Sequence, residues 1–221
     1  MTKESYLGAK SGSGVYQAII NLFPPHEIFT ELFLGTGAIM KKKAPAQYNI
    51  GIDKNVSMID KFDYAADELL CADAIEYIES YQAKGKTVLY ADPPYVHSTR
   101  TSNARYDHEM SDQDHRRLLK GLCAIDPKDT YIVISGYKND LYSELLTGWW
   151  SKDFQAMTRG GVRTETVWCN FKPSEVHYHT FAGDNFTDRQ RIKRKAERWA
   201  ANFKGLPMGE RQAVLNAILS V

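Results

Sequence analysis

The chain has 221 residues, 43% hydrophobic and 25% charged, with a net charge of +1, which suits one ordinary domain with a small appendage and no strong overall field. Three cysteines, Cys71, Cys123 and Cys169, form no close pair, arguing against a disulfide framework and for a reducing interior. No run approaches the roughly 18 apolar residues needed to span a bilayer and MTKESYLGAK has no apolar signal core, so the expected location is the cytoplasm.

The first distinctive stretch, Gly8-Ala9-Lys10-Ser11-Gly12-Ser13-Gly14, has the glycines and lysine of a phosphate loop. It lacks the P-loop spacing and no strand precedes it. Read from its own residues, it is either a flexible N-terminal loop or a ligand element, and a helix candidate follows at Val15–Leu22.

Short apolar runs then recur between amphipathic stretches. The expected strands are Glu27–Leu34, Tyr48–Asp53, Leu69–Asp73, Val88–Asp92, Tyr131–Ser135, Phe154–Thr158 and Thr164–Phe171. Helical candidates lie at Ala38–Lys43, Val56–Tyr64, Ala74–Ala83 and Ser111–Leu122. Strands alternating with helices imply parallel neighbours and right-handed crossovers, hence an open α/β sheet. Only Arg159-Gly160-Gly161-Val162 separates the last two runs, so they read as an antiparallel hairpin. Trp149-Trp150 should pack where that hairpin begins, and Cys123 and Cys169 read as small core residues.

After Pro173 the pattern changes, and the division expected is 1–173 for a main domain and 174–221 for a helical basic extension. Ile192, Ala196, Trp199 and Phe203 form an apolar helical stripe. Over Phe186–Lys204, seven Lys and Arg residues face two acidic ones. Such a helix is either a packing helix with a solvated face or a phosphate-binding element. A second helix is expected at Gly209–Leu219.

In open α/β sheets ligands bind beyond the C-terminal strand ends. The first strand ends in Phe33-Leu34-Gly35-Thr36-Gly37-Ala38, where two glycines allow close backbone approach and a helix N-terminus favours a negative group. The third glycine of a dinucleotide fingerprint is missing, with Met40 in its place. Asp53 ends the second strand, where a carboxylate suits a ribose diol. Asp73 ends the third, where it would accept from an adenine amino group or cap the next helix.

The fourth strand ends in Asp92-Pro93-Pro94-Tyr95. Neither proline can donate a hydrogen bond or continue a central strand, and Asp92 is held extended before Pro93. The result is an acceptor edge beside a flat ring, complementary to an exocyclic amine on a planar base. His108, His115 and His177-x-His179 do not have the spacing of a metal cluster, and no metal is expected.

These residues, in this order, resemble the amino-group DNA methyltransferases that modify adenine, the Dam-type adenine methylases. Tyr6-Leu7-Gly8-Ala9-Lys10 resembles the family's N-terminal cofactor motif, which favours the ligand reading of that loop. Glu31-Leu32-Phe33-Leu34-Gly35-Thr36-Gly37 resembles its glycine-rich motif, and Asp92-Pro93-Pro94-Tyr95 its catalytic tetrapeptide. Compact phage and prophage members also look similar at His115, Ser135-Gly136-Tyr137 and Arg163-Thr164-Glu165.

The resemblance implies a Rossmann-like methyltransferase fold, a mostly parallel seven-stranded sheet with an antiparallel terminal hairpin and C-terminal helices. It implies S-adenosylmethionine as methyl donor, cradled by Phe33, Gly35 and Gly37, with Asp53 on the ribose and Asp73 on the adenine. Tyr6 and Lys10 would hold the methionine end. Asp92 and the Pro93 carbonyl would accept from a target adenine amine, with Pro94 stiffening the turn and Tyr95 stacking on the flipped base. The larger relatives carry a target-recognition segment between the third and fourth strand motifs, whereas Asp73 and Asp92 here are only 19 positions apart. DNA contacts are therefore expected from Arg100, Arg105 and Tyr106 after the catalytic strand, from Arg159 and Arg163 at the hairpin, and from Arg191 and Arg194 in the tail. A short or relaxed target sequence follows. An RNA base amino group is the alternative substrate, and a non-catalytic nucleic-acid-binding protein a further one.

Overall fold

In the computed structural model the described residues are 10, 12, 14–96, 109–158, 161–173, 182–183 and 185–219. The chain divides into two compact units, Met1–Thr180 and Phe181–Val221.

In the first unit the elements run α1 (Val15–Ile20), β1 (Ile28–Glu31), α2 (Ala38–Lys42), β2 (Tyr48–Asp53), α3 (Val56–Asp60), β3 (Glu68–Cys71), α4 (Ala74–Glu79), β4 (Thr87–Ala91), α5 (Asp112–Ala124), β5 (Thr130–Gly136), α6 (Asp140–Leu145), β6 (Trp150–Thr158) and β7 (Gly161–Cys169). Among the described residues seven strands form one sheet, ordered β3-β2-β1-β4-β5-β7-β6. Pairing is parallel from β3 through β5, while β7 runs antiparallel to both β5 and β6. This is the mostly parallel seven-stranded sheet with an antiparallel terminal hairpin that the sequence resemblance implied.

The burial of each strand follows from its place in that order. Central β4 is buried at all five residues, because helices cover both faces of a parallel sheet. Leu89 and Ala91 join a core with Ile75, Ile78, Leu118, Leu119 and Leu122. Tyr90 points the other way and packs near Phe23, which also meets Phe29. Edge strand β3 has no fully buried residue.

The helix starts are set by short polar side chains that accept from otherwise unpaired backbone N–H groups. Asn55, Asp73, Ser111 and Asn139 do this for α3, α4, α5 and α6. Gly37 opens α2 instead, in the left-handed region at φ 63°.

Three sequence expectations need correction. β7 begins at Gly161, paired with Thr158, and so starts nearer the turn than the expected Thr164, while β6 ends at Thr158 as expected but begins earlier, at Trp150. A short helix, α6, lies where none was expected. Cys123 is exposed, because α5 buries His115, Leu118, Leu119 and Leu122 and the next position rotates onto the outer face; Cys169 is buried as expected.

The second unit holds α7 (Phe186–Gly205) and α8 (Met208–Leu219). Asn185 caps α7 by accepting from Asp188 N. No residue of α7 is buried, and Trp199, on the apolar stripe, is 64% exposed.

Candidate active site

The strand order reverses between β1 and β4: the chain runs outward through β2 and β3, then returns to place β4 on the other side of β1. Such a switch point opens a crevice beyond the C-terminal strand ends. Register puts Glu31 opposite Tyr90, and Leu32 N donates to the Tyr90 carbonyl across 2.9 Å. The glycine turn after β1 and the Asp-Pro-Pro-Tyr turn after β4 therefore leave the sheet side by side.

In the glycine turn, Gly35 and Gly37 adopt φ of 49° and 63°, a region costly for residues with a Cβ. Gly35 N donates to Asp53 Oδ2 across 2.7 Å, and Asn55 N donates to Asp53 Oδ1 across 2.8 Å. Asp53 is thereby fixed beside the turn, with lone pairs remaining on both oxygens. Phe33 is half-buried against the core. Met40, in place of a third glycine, donates its N–H to Glu31 Oε2 across 2.9 Å. Burial pushes the Glu31 carboxyl up to about 8, against the backbone donors that favour its charged form.

Asp73 fills the capping role weighed for it: Oδ1 accepts from Ile75 N, and Oδ2 pairs with Lys54 Nζ at 2.9 Å. Burial alone would raise its carboxyl, but Lys54 and the helix N–H groups outweigh that and hold it below its usual range.

The densest polar cluster surrounds Asp92. Lys10 Nζ donates to Asp92 Oδ1 and to the Tyr95 hydroxyl, both across 2.8 Å. Ser135 Oγ donates to the same Asp92 oxygen across 2.9 Å, so the Tyr90 hydroxyl, 2.8 Å from Ser135 Oγ, is the donor in that second bond. Tyr95 in turn donates to Glu165 Oε1 across 3.0 Å. Glu165 Oε2 stands 3.5 Å from Lys10 Nζ. The Tyr137 ring lies against Tyr95, with centroids 4.3 Å apart.

Electrostatics explain why these charges persist with Lys10 only 4% exposed. Burial pulls the Lys10 ammonium down, but Asp92, Tyr95 and Glu165 outweigh it and hold the group well above its usual range. Burial raises the Asp92 carboxyl, Lys10 and Ser135 oppose that, and Glu165 adds to it; the net displacement is upward. A buried cation shared between two carboxylates is stable only as a complete set.

Several expected residues are brought together here and others are not. Lys10, Asp92, Pro93, Pro94 and Tyr95 share one edge with Gly35, Gly37 and Asp53. Lys10, expected as a partner for a methionine carboxylate, faces Asp92 and Tyr95. Arg163, half-buried on β7, is close enough for its charge to act on the Tyr137 phenol. Arg191 is exposed on α7 and paired with Asp188 at 2.7 Å, and Arg194 is exposed on the same helix. Tyr6, Arg100, Arg105, Tyr106 and Arg159 lie outside the described residues. Ser135, Tyr90, Glu165 and Tyr137 join the site without a role assigned from sequence, although Ser135-Gly136-Tyr137 and Arg163-Thr164-Glu165 belong to the family resemblance.

Among the described residues no group of three or more His, Cys, Asp or Glu side chains could hold a metal ion. His115 is fully buried, with Nδ1 3.1 Å from the Tyr142 hydroxyl. No helix of the described residues is long and apolar enough to cross a membrane.

Comparison with known proteins gives two kinds of finding. Solved structures with similar folds include the N-methyltransferase NodS from Bradyrhizobium japonicum, 10% identical, covering 71% of this chain and 94% of that one, with a TM-score of 0.48. A ribosomal-RNA methylase from Streptococcus thermophilus is 11% identical over 70% of this chain and 93% of that one, at a TM-score of 0.44. A dimethyladenosine transferase from Plasmodium falciparum is 19% identical over 72% of this chain and 60% of that one, at a TM-score of 0.45. No curated protein sequence matches the chain. The model of the D12 class N6 adenine-specific DNA methyltransferases matches residues 49–164. That match takes in Asp53, the Asp92-Pro93-Pro94-Tyr95 turn and Ser135, and spans more than half of the sequence, so the chain belongs to the D12 class N6 adenine-specific DNA methyltransferase family.

Proposed function

We propose that this protein transfers a methyl group from S-adenosylmethionine to the exocyclic amino nitrogen of an adenine in DNA. The observation that carries the reading is the state of Asp92: among the described residues its hydrogen bonds, from Lys10 and Ser135, both fall on Oδ1. Oδ2 is then the oxygen presented to a substrate N–H, while Oδ1 is held in place.

The residues beyond β1, β2 and β3 fit the cofactor. The glycine turn is one that only glycines make: Gly35 and Gly37 hold positive φ, and a Cβ on Gly37 would run into the Phe62 ring. Asp53 faces that turn with lone pairs to spare for ribose hydroxyls. Asp73, set at the end of β3, supplies a carboxylate for the adenine side. When bound, S-adenosylmethionine supplies a sulfonium-activated methyl group.

The protein's part is positioning and electrostatics. An adenine amine is a weak nucleophile because its lone pair is delocalised into the ring. Acceptance of its two N–H groups by Asp92 Oδ2 and the Pro93 carbonyl favours a pyramidal nitrogen with the lone pair directed at the methyl. The Asp92 charge also stabilises the positive charge that develops on that nitrogen. The N–H proton that the nitrogen must lose would pass to Asp92 Oδ2 or to water, the thioether S-adenosylhomocysteine being the leaving group. Tyr95 stacks on the base once it leaves the duplex. Arg163 and the basic face of α7, Arg191 and Arg194 included, supply phosphate contacts, with Arg100, Arg105, Tyr106 and Arg159 assigned to the same role from sequence.

The test is transfer of a labelled methyl group from S-adenosylmethionine to duplex DNA, single-stranded DNA and ribosomal RNA, followed by nucleoside analysis. Label in N6-methyladenine from DNA supports the reading. Label confined to an RNA base moves the assignment to RNA.

A further inference from the structure

Among the described residues, the mechanism above leaves two buried acids unused, Glu31 and Glu165, and only the second touches the Asp92 cluster through a hydrogen bond. Glu165 is 4% exposed on β7 and belongs to neither the glycine turn nor the Asp-Pro-Pro-Tyr turn. Its position follows from the reversed strand. Because β7 runs antiparallel to β5, pairing Ser135 with Val167 and Gly136 with Thr166, residues before Thr166 continue past the C-terminal end of β5. That overhang carries Glu165 to the edge where the parallel strands deliver Asp92 and Tyr95.

There Glu165 closes a ring of contacts. Its Oε1 accepts the Tyr95 hydroxyl at 3.0 Å, its Oε2 stands 3.5 Å from Lys10 Nζ, and Lys10 donates to that same hydroxyl at 2.8 Å. Lys10 reaches Asp92 as well. One carboxylate thus constrains both the stacking ring and the cation that orients the acceptor.

We propose that Glu165 is a positioning residue, which holds Tyr95 and Lys10 together so that the ring and the Asp92 carboxylate meet a flipped base in one fixed geometry. This rests on the reading that Asp92 receives the substrate amine. Without Glu165 the Tyr95 hydroxyl loses the acceptor at Oε1 and Lys10 loses the carboxylate at 3.5 Å. The ring then rocks about its side-chain torsions while the base still finds the cofactor in place. The cost falls on the chemical step and not on cofactor binding.

The experiment compares wild type with E165A, E165Q, Y95F and E165A/Y95F. Loss of the contact should lower kcat by about tenfold or more in E165A, with cofactor KM little changed. E165Q should recover part of the loss, because its amide oxygen still accepts from Tyr95. In the Y95F background E165A should cost less than it does in wild type, since part of its effect passes through the missing hydroxyl. Independently of catalysis, the Tyr95 Cζ resonance of carbon-13-tyrosine-labelled protein, assigned with Y95F, should move in E165A. An unmoved resonance, or kcat retained by a folded E165A, overturns the positioning role. A wild-type protein that methylates no nucleic acid overturns the proposed function instead, and the resonance still decides whether Glu165 holds Tyr95.

Discussion

The Lys10 ammonium stands 2.8 Å from Asp92 Oδ1 and 2.8 Å from the Tyr95 hydroxyl, so one buried cation ties together both ends of the Asp-Pro-Pro-Tyr turn. Lys10→Met should therefore slow methyl transfer at saturating cofactor and leave cofactor affinity nearly unchanged. Removing the cation also strands buried carboxylate charge, which costs about 3–5 kcal/mol of stability when one partner of such a pair is deleted. Lys10 opposes the upward displacement of Asp92, so its loss should move the acidic limb of the pH–rate profile to higher pH. Cofactor affinity lost with an unchanged limiting rate would return Lys10 to the methionine carboxylate.

Ser135 anchors the same carboxylate oxygen and accepts from Tyr90. Ser135→Ala leaves the buried Tyr90 hydroxyl without that acceptor, a loss of about 1–3 kcal/mol. Denaturant titration should show that destabilisation, and Tyr90→Phe in the S135A background should recover part of it. The transfer rate should not recover, because the hydroxyl on Asp92 is still missing.

Gly37 holds φ of 63° beside Phe62. Gly37→Ala should destabilise the protein by roughly 1–2 kcal/mol through backbone strain and weaken cofactor binding as the turn shifts. Calorimetric binding of S-adenosylhomocysteine measures the second effect.

His26 gives a pH signature unrelated to the site. It is 6% exposed, with Nδ1 2.7 Å from the Pro24 carbonyl. Burial drives its pKa down from 6.5 to about 4, Lys43 adding to the effect and the Pro24 carbonyl opposing it. The unfolded chain therefore binds more protons between those values, so this contribution is complete above 6.5 and lost as pH falls towards 4. Its size is roughly 3 kcal/mol. His26→Gln should flatten thermal stability across that window, whereas an unchanged acid slope would contradict the assignment.

How much of this was legible in the sequence depended on range. β4 announced itself because a parallel strand buried on both faces reads as a nearly continuous apolar run, and β2, with Ile50 and Ile52 at alternate positions, begins and ends where expected. α6, at Asp140–Leu145, did not announce itself. Asp92 was legible because two prolines after a buried strand leave an unusual acceptor edge. Its partners were not. Ser135 lies 43 residues away, and the Glu165 that receives Tyr95 lies 70 from it. Only the order β1-β4-β5-β7 brings them together, and nothing local in either side chain records that pairing. The apolar stripe of α7 was legible as a stripe, but a helical period alone does not say whether neighbours cover it, and Trp199 is exposed.

The central claim is that Asp92 receives the adenine amine, and Asp92→Ala tests it most directly. Wild type and variant would be compared for tritium transfer from S-adenosylmethionine into N6-methyladenine of duplex DNA, alongside cofactor affinity and circular dichroism. The expected result is a folded variant that binds cofactor within a few-fold of wild type and transfers roughly a hundredfold more slowly or less. Transfer by Asp92→Ala at the wild-type rate would contradict the account.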